Sequence, residues 1–384
     1  METEKKKLLL IATSLKQGGF QRVCARTAIL LSQYYKVSVV VFDGREIAYL
    51  LNDIPIYNLE IEAQTGILKK IVNVFRRIRK IKDIKRKNQI DISYSFGMSA
   101  NLINILTRVN DVIWSGIRSF VDLDTKSIGL VCRKSDIVIC CSKDLENRLS
   151  EKYQVKKITT IYNPFDIDEL TEESKDDIED KDFFLKSGKL IVAMGREDNL
   201  KGYWHLIKCF AAIEDKNTRL CIIGKGMFEK EKSLVEELKI SERVYFTGGK
   251  QNPFCYLKYA DIYVMSSIHE GFPNALVEAM ALQLPVISTN CETGPREILL
   301  AQYESNHITD KMIEADYGIL VPALPSAPDY TVTTLSKEEN ILTEAIEFML
   351  QNDKLRERYA LTAKERAAHF GTQKYVECFL QLTK

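Results

Sequence analysis

No window of this 384-residue chain approaches the ~20 apolar residues a membrane-spanning helix needs, so any membrane contact is expected to be peripheral. The nine cysteines include no Cys-x-x-Cys pair, and adjacent Cys140 and Cys141 sit in an apolar run that reads as a buried strand. Reduced structural cysteines in the cytosol fit this usage. The four histidines, His205, His269, His307 and His369, lie far apart and lack metal-ligand spacing. A Gly-x-Gly-x-x-Gly dinucleotide fingerprint is absent, as are repeats and low-complexity segments. The first residues are basic, and the apolar stretch that follows, Leu8 to Ala12, is too short for a secretory signal and reads as a first strand.

What is present is ordinary for a globular protein: 45% hydrophobic and 28% charged residues, in a chain long enough for two domains. The net charge of +1 hides an asymmetry, with 28 Lys+Arg against 19 Asp+Glu in residues 1–170 and 26 against 34 in the remainder. The two halves are expected to meet different partners. Apolar runs alternate with helical patterns, as in parallel sheets covered by helices. Strands are expected at Leu8–Ala12, Lys36–Phe42, Ile90–Ser95, Val112–Ser115 and Ile137–Cys141, then at Lys189–Met194, Arg219–Ile223, Val244–Thr247, Ile262–Met265, Val286–Thr289 and Gly318–Val321. The expected division is an N-terminal Rossmann-like domain over 1–164, an exposed acidic linker over 165–188, and a second Rossmann-like domain over 189–384 whose last helix packs back on the first.

Open α/β sheets bind ligands beyond the carboxyl ends of their strands, and four strand ends stand out. Gly18 and Gly19 follow the first strand and open a helix, which suits either close approach to an anion or a plain turn. Gly195-Arg196, with Lys201-Gly202 soon after, sets two cations beside a strand-end glycine, as a diphosphate requires. Ser266 to Met280 contains Glu270-Gly271-Phe272-Pro273-Asn274-Ala275 and then Glu278 inside an apolar helical run, where a carboxylate needs a partner. The helix start between the two glutamates is a natural phosphate site. Asn290 to Glu297, with Gly294, Pro295 and Arg296, suits a sugar pocket or a plain loop, and Gly248-Gly249 suits backbone approach to a nucleobase.

Together these residues resemble the GT-B retaining glycosyltransferases of family 4, which build bacterial polysaccharides and glycolipids. The family's E-x7-E element appears as Glu270 and Glu278, its basic pair as Arg196 and Lys201, and its N-terminal glycine loop as Gly18 and Gly19. The resemblance implies two Rossmann-like domains facing across a cleft. It implies that Arg196 and Lys201 hold the diphosphate of a UDP-sugar, Glu270 the transferred hexose or N-acetylhexosamine, and Glu278 the ribose. Catalytic roles fall to Arg196, Lys201 and Glu270, with no metal and no cofactor. The implied acceptor is a saccharide or a lipid-diphosphate-linked saccharide. Where relatives carry a Glu-His pair this chain reads Ser115-Gly116-Ile117-Arg118-Ser119, so Arg118, with Arg296, is the candidate for the acceptor or sugar pocket.

Other readings compete. Asp122-Leu123-Asp124 has the form of a metal-binding D-x-D triplet, and a nicotinamide-dependent oxidoreductase or a non-catalytic nucleotide-sugar-binding protein would share the fold. Residues 67–87 form a basic segment with Ile67, Ile71, Val74, Phe75, Ile78 and Ile81 at helical spacing. It is either a surface helix docked by that stripe or a contact for an anionic membrane surface. No nucleic-acid recognition motif accompanies the charge, so nucleic acid is not an expected partner.

Overall fold

Apolar runs such as Leu8-Leu9-Leu10-Ile11 contain no polar alternation because their strands are covered on both faces. In the computed structural model, which describes residues 4–62, 65–303, 310–332 and 334–383, these strands lie in two seven-stranded sheets. His307 lies outside the described residues. Two units result, Met1–Pro164 with Thr372–Lys384, and Phe165–Gly371.

The first unit contains β1 (Lys7–Ala12), β2 (Lys36–Val41), β3 (Ile56–Asn58), β4 (Ile92–Phe96), β5 (Val112–Ile117), β6 (Ile137–Cys140) and β7 (Ile158–Thr160), all parallel in the order β3-β2-β1-β4-β5-β6-β7. Its helices are α1 (Gly19–Leu31), α2 (Ile67–Asn88), α3 (Met98–Leu106), α4 (Ile128–Lys134) and α5 (Lys143–Lys152). Successive side chains of β1 point to opposite faces. Leu8 and Leu10 pack with α1, and Leu9 and Ile11 pack with Ile81 of α2 and Ile103 of α3.

The second unit contains α6 (Ile167–Glu173), α7 (Lys181–Phe184), β8 (Leu190–Met194), α8 (Tyr203–Ala212), β9 (Arg219–Ile223), α9 (Glu229–Glu237), β10 (Val244–Gly248), α10 (Phe254–Leu257), β11 (Ile262–Met265), α11 (Asn274–Ala281), β12 (Val286–Thr289), α12 (Pro295–Leu299), β13 (Ile313–Ala315), β14 (Gly318–Val321), α13 (Lys337–Gln351) and α14 (Asp353–Ala368). Its order is β10-β9-β8-β11-β12-β14-β13, parallel except for β13 against β14. The chain ends with α15 (Thr372–Gln381), which returns to the first unit and places Tyr375 and Phe379 in the cluster of Leu8, Tyr94 and Trp114.

Residues 165–188, expected as an exposed acidic linker, mostly face solvent but are fastened to the second unit by a few buried side chains. Leu170, Ile178 and Phe184 are buried, and Phe183 stacks on Tyr245 of the edge strand β10 at 5.1 Å. The Asn252 amide donates to the Glu173 carbonyl at 2.7 Å, and Lys250 pairs with Glu179 at 3.2 Å. A few well-spaced apolar side chains suffice to dock the segment, while most of its acidic residues face solvent. These contacts tie the segment to β10 and to the loop that follows it.

Helix α2 has two different halves. Toward its end Ile81 is buried and Lys85 is wholly enclosed, its ammonium donating to Asp111 Oδ2 (2.8 Å), Asn104 Oδ1 (2.7 Å) and Ser93 Oγ (3.1 Å). At its start Ile67, Leu68, Ile71, Val72 and Phe75 are exposed, so the apolar stripe docks the helix only through its later turns. Burial alone would raise the Asp111 carboxyl, but Lys85, Ser93 and the Val109 N–H outweigh it and hold it below the ordinary carboxylate range. A carboxyl so lowered stabilises the fold above its unfolded pKa, and the contribution disappears as pH falls through the folded value. Asp111→Ala leaves an enclosed ammonium without its counter-ion and is expected to cost about 3–5 kcal/mol in urea unfolding. Lys85→Met with Asp111→Leu should recover most of that, and a double variant as unstable as the single one would refute the ion-pair account.

Candidate functional site

In the second unit the strand order reverses between β8 and β11, and a crevice at such a switch point is where open α/β sheets take ligands. The loops leaving these two strands are fastened together. The Ile268 N–H donates to the Leu200 carbonyl at 2.8 Å, and the Ser266 hydroxyl to the Lys201 carbonyl at 2.9 Å. Gly202 has φ +60°, and a Cβ there would stand 2.4 Å from the Ser266 carbonyl oxygen, so the close approach requires glycine. The result is an ion pair across the switch point: Lys201 Nζ donates to Glu270 Oε1 at 2.6 Å, and the Ser267 hydroxyl donates to the same oxygen at 2.7 Å. The Thr293 hydroxyl donates to the Glu270 carbonyl.

Gly195 and Arg196 lie at the end of β8. The Gly195 carbonyl accepts from the Tyr203 hydroxyl at 2.9 Å, and burial, with Tyr263 and Glu270 nearby, keeps that phenol protonated by pushing it well above its usual range. Arg196 is exposed, and its Nη2 donates to Asp198 Oδ2 at 2.7 Å. Asp198 Oδ1 accepts the Leu200 N–H at 3.1 Å and starts the 3-10 turn Asn199–Lys201. One aspartate thus orients both cations.

Beyond Glu270, Gly271, Phe272 and Pro273 lead into α11, which begins at Asn274 and Ala275 and which no side chain caps among the described residues. Phe272 packs between Phe165 and Phe370, at 6.4 and 5.2 Å. Glu278 is buried on α11 among Leu276, Val277, Ala279 and Met280. Gly294 has φ +98°, and a Cβ there would lie 2.4 Å from Pro273 Cδ, so the loop from Asn290 to Glu297 sits flush against the helix start. Arg296 is buried and donates to the Glu292 carbonyl at 3.2 Å.

A third wall of the rim has no assigned role in the sequence reading. Gly224-Lys225-Gly226 follows β9, with Gly224 against the Gly195 carbonyl, Gly226 against Glu197, and Lys225 against Gly249 at the end of β10. The signal was there as a Gly-x-Gly directly after a strand. Of the histidines, His205 is bound internally, with Nδ1 2.6 Å from Glu339 and Nε2 2.9 Å from the Pro325 carbonyl. Burial alone would raise Glu339, but His205 and the Ser336 N–H bring it below its ordinary value.

In the first unit Gly18 follows β1, its N–H and carbonyl both 2.9 Å from the Tyr49 hydroxyl, and Gly19 opens α1. Arg118, after β5, spends its guanidinium inside that unit: it donates to Asn163 at 2.8 Å and to the Tyr94 hydroxyl, and it lies over the Phe96 ring at 5.1 Å. Asp122 Oδ2 accepts the N–H groups of Arg118 and Ser119, both at 3.1 Å, in the capping box of the 3-10 turn Phe120–Asp124, and burial raises its carboxyl. The first aspartate of the Asp122-Leu123-Asp124 triplet is therefore a cap.

Residues 174–315, which contain this rim, match the model of the family described as glycosyl transferases group 1. An uncharacterized glycosyltransferase of Methanocaldococcus jannaschii is 30% identical over 81% of this chain and 82% of its own. The N-acetylgalactosamine-N,N'-diacetylbacillosaminyl-diphospho-undecaprenol 4-alpha-N-acetylgalactosaminyltransferase of Campylobacter jejuni is 27% identical over 96% of both. In fold, the chain is similar to Anabaena HepE in complex with UDP and glucose, with a TM-score of 0.73, 16% identity, and 98% and 99% of the two chains covered.

Because the Lys201 turn and the loop after β11 meet at a glycine in the left-handed region, Gly202→Ala is expected to cost about 1–3 kcal/mol of stability. Thermal unfolding measures it, and an unchanged midpoint would mean that the two loops are not in close contact.

Proposed function

The chain belongs to the group 1 glycosyl transferases and has their GT-B fold, and on that premise we propose that it moves a hexose or N-acetylhexosamine from a UDP-sugar onto a lipid-diphosphate-linked saccharide, with retention and without a metal. Family membership displaces the nicotinamide alternative. The observation that carries the reading is the Lys201–Glu270 ion pair at the switch point, with Arg196 beside it. Arg196 and Lys201 take the diphosphate, assisted by the start of α11. Glu270 accepts from sugar hydroxyls and Glu278 from the ribose, while Gly249 leaves room for the base. The anomeric carbon–phosphate oxygen bond breaks as the acceptor oxygen bonds to that carbon from the same face, and the acceptor proton passes to the leaving diphosphate. Stabilising that leaving group is the main catalytic term, which is why cations matter more than a base.

UDP as donor is supported by the UDP complex of the HepE neighbour, and the acceptor class by the diphospho-undecaprenol in the name of the Campylobacter relative. Released UDP, measured across UDP-, GDP- and ADP-sugars, tests the donor. Lys201→Ala and Glu278→Ala are each expected to lower turnover about 10-fold to 100-fold, each removing a charge-assisted contact. Activity should survive excess chelator. Near-normal kinetics in either variant removes that residue's role, and loss on chelation that magnesium or manganese restores would refute metal independence.

The membrane side of this reading rests on the first turns of α2. No helix among the described residues is long and apolar enough to cross a membrane. Exposed Ile67, Leu68, Ile71, Val72 and Phe75 are interleaved with Lys69, Lys70, Arg76 and Arg79, a combination that suits an anionic lipid surface. Each basic residue near such a surface contributes about 1 kcal/mol. Arg77 and Lys80 are otherwise engaged, donating to the Ile61 and Leu59 carbonyls at 2.9 and 2.7 Å. Co-sedimentation with anionic but not neutral vesicles at low salt is therefore expected, weakened by Lys69, Lys70, Arg76 and Arg79→Gln or by Leu68→Ser with Phe75→Ser. Equal partitioning of all variants would make this face merely solvated.

A further inference from the structure

The Lys201 turn is held from four directions, and three of the contacts are accounted for: Asp198 starts it, Ser266 binds its carbonyl, and Glu270 binds its ammonium. The fourth comes from an unassigned group. Tyr330, in the stretch after β14, places its hydroxyl 3.3 Å from Asn199 Oδ1, the first residue of the turn, and 3.1 Å from Glu231 Oε1 on α9. Its ring packs against Trp204 at 5.5 Å, and the Lys230 ammonium lies 5.4 Å from the ring centroid. Glu231 is buried, and its Oε2 has no hydrogen-bond partner among the described residues.

A hydroxyl has one hydrogen to give. When Glu231 is protonated, its own O–H donates to the Tyr330 oxygen, and the Tyr330 hydrogen is free to bond Asn199. Once Glu231 is ionised, that hydrogen turns to the carboxylate, and the bond from Tyr330 to Asn199 Oδ1 is given up. Lys201 lies two residues further on. We propose that Tyr330 and Glu231 are positioning residues for the Lys201 turn, holding it for the donor diphosphate while Glu231 carries a proton and releasing it when that proton is lost. The proposal rests on the donor reading of Lys201.

The surroundings raise the Glu231 carboxyl above its ordinary value. Burial is the main cause, Glu197 adds repulsion, and the Glu231 backbone N–H, Tyr330 and Lys230 oppose it, with a net rise. Glu197 itself is held by the N–H groups of Met227 and Phe228 at 2.7 and 3.0 Å. The buried phenol of Tyr203 faces Glu231 from α8, and Asp329, next to Tyr330, is paired with Lys208 at 2.7 Å. A rise in pH through the elevated Glu231 value removes its proton, so donor affinity should fall in that direction.

UDP binding to the full chain, measured calorimetrically from mildly acidic to mildly alkaline buffer, tests this. The wild type is expected to weaken about threefold to tenfold with rising pH, the worth of one neutral hydrogen bond. Tyr330→Phe should be weak throughout with its ring packing and melting temperature retained, and Glu231→Gln, whose amide donates like the protonated acid, should stay tight throughout. The ionisation of UDP itself is common to all variants and cancels in the comparison. A Glu231→Gln protein with the wild-type pH slope, or a Tyr330→Phe protein that binds UDP as wild type in acid, overturns the proposal. Lys201→Ala is the control on the site. Unchanged UDP affinity there overturns the donor assignment, whereas weakened affinity there beside an unresponsive Tyr330→Phe overturns the positioning claim alone.

Discussion

An ammonium and a carboxylate 2.6 Å apart, joining the loops that leave β8 and β11, hold the candidate site together. Neither charge would sit stably half-enclosed by itself, since removal from water without a partner is costly. Paired, each fixes the other, and the loops that carry them inherit that order. In the proposed reaction the incoming diphosphate meets a cation already in place and already partly desolvated, so binding exchanges one anionic partner for another. A flexible lysine would have to be ordered at the moment of binding, at a cost in affinity.

The sheet interiors were plain in the sequence because strands buried on both faces read as unbroken apolar runs, and Arg219–Ile223, Ile262–Met265, Val286–Thr289 and Gly318–Val321 appear with the bounds expected of them. The strands that escaped notice are β3, β7 and β13, each at the edge of its sheet. An edge strand of three residues pairs on one side only and needs no apolar run, so Ile158-Thr159-Thr160 leaves no pattern to find. Much of the rim was legible too, since Gly195, Arg196, Lys201, Glu270 and Gly294 all fall at strand ends. What could not be read were the contacts that place them, Ser267 and Thr293 on Glu270 and Asp198 on Arg196, because serine, threonine and aspartate in loops look alike until the loops are folded. Arg118 illustrates the converse: its position was clear, but the partners that consume its guanidinium lie 24 and 45 residues away.

Helix α2 shows how one periodic pattern can serve two environments. Its later turns are pinned by an enclosed lysine whose partners come from β4, α3 and the residue before β5. Its first turns carry the same spacing of apolar residues, but there Ile67, Leu68, Ile71, Val72 and Phe75 are exposed. A helix is stiff over 22 residues, so anchoring one end fixes the direction in which the other presents its side chains.

The first unit is assembled from two separated pieces of chain, with the Phe379 ring packing on Tyr94 and Trp114 and the Tyr375 ring on Phe379. During vectorial synthesis the strands of that unit emerge first, yet this face of its sheet stays open until every residue of the second unit has been made. The second unit, continuous in sequence, can close as it leaves the ribosome. The early-made sheet thus depends on a later-made helix, residues 372–381, for the aromatic side chains that cover it.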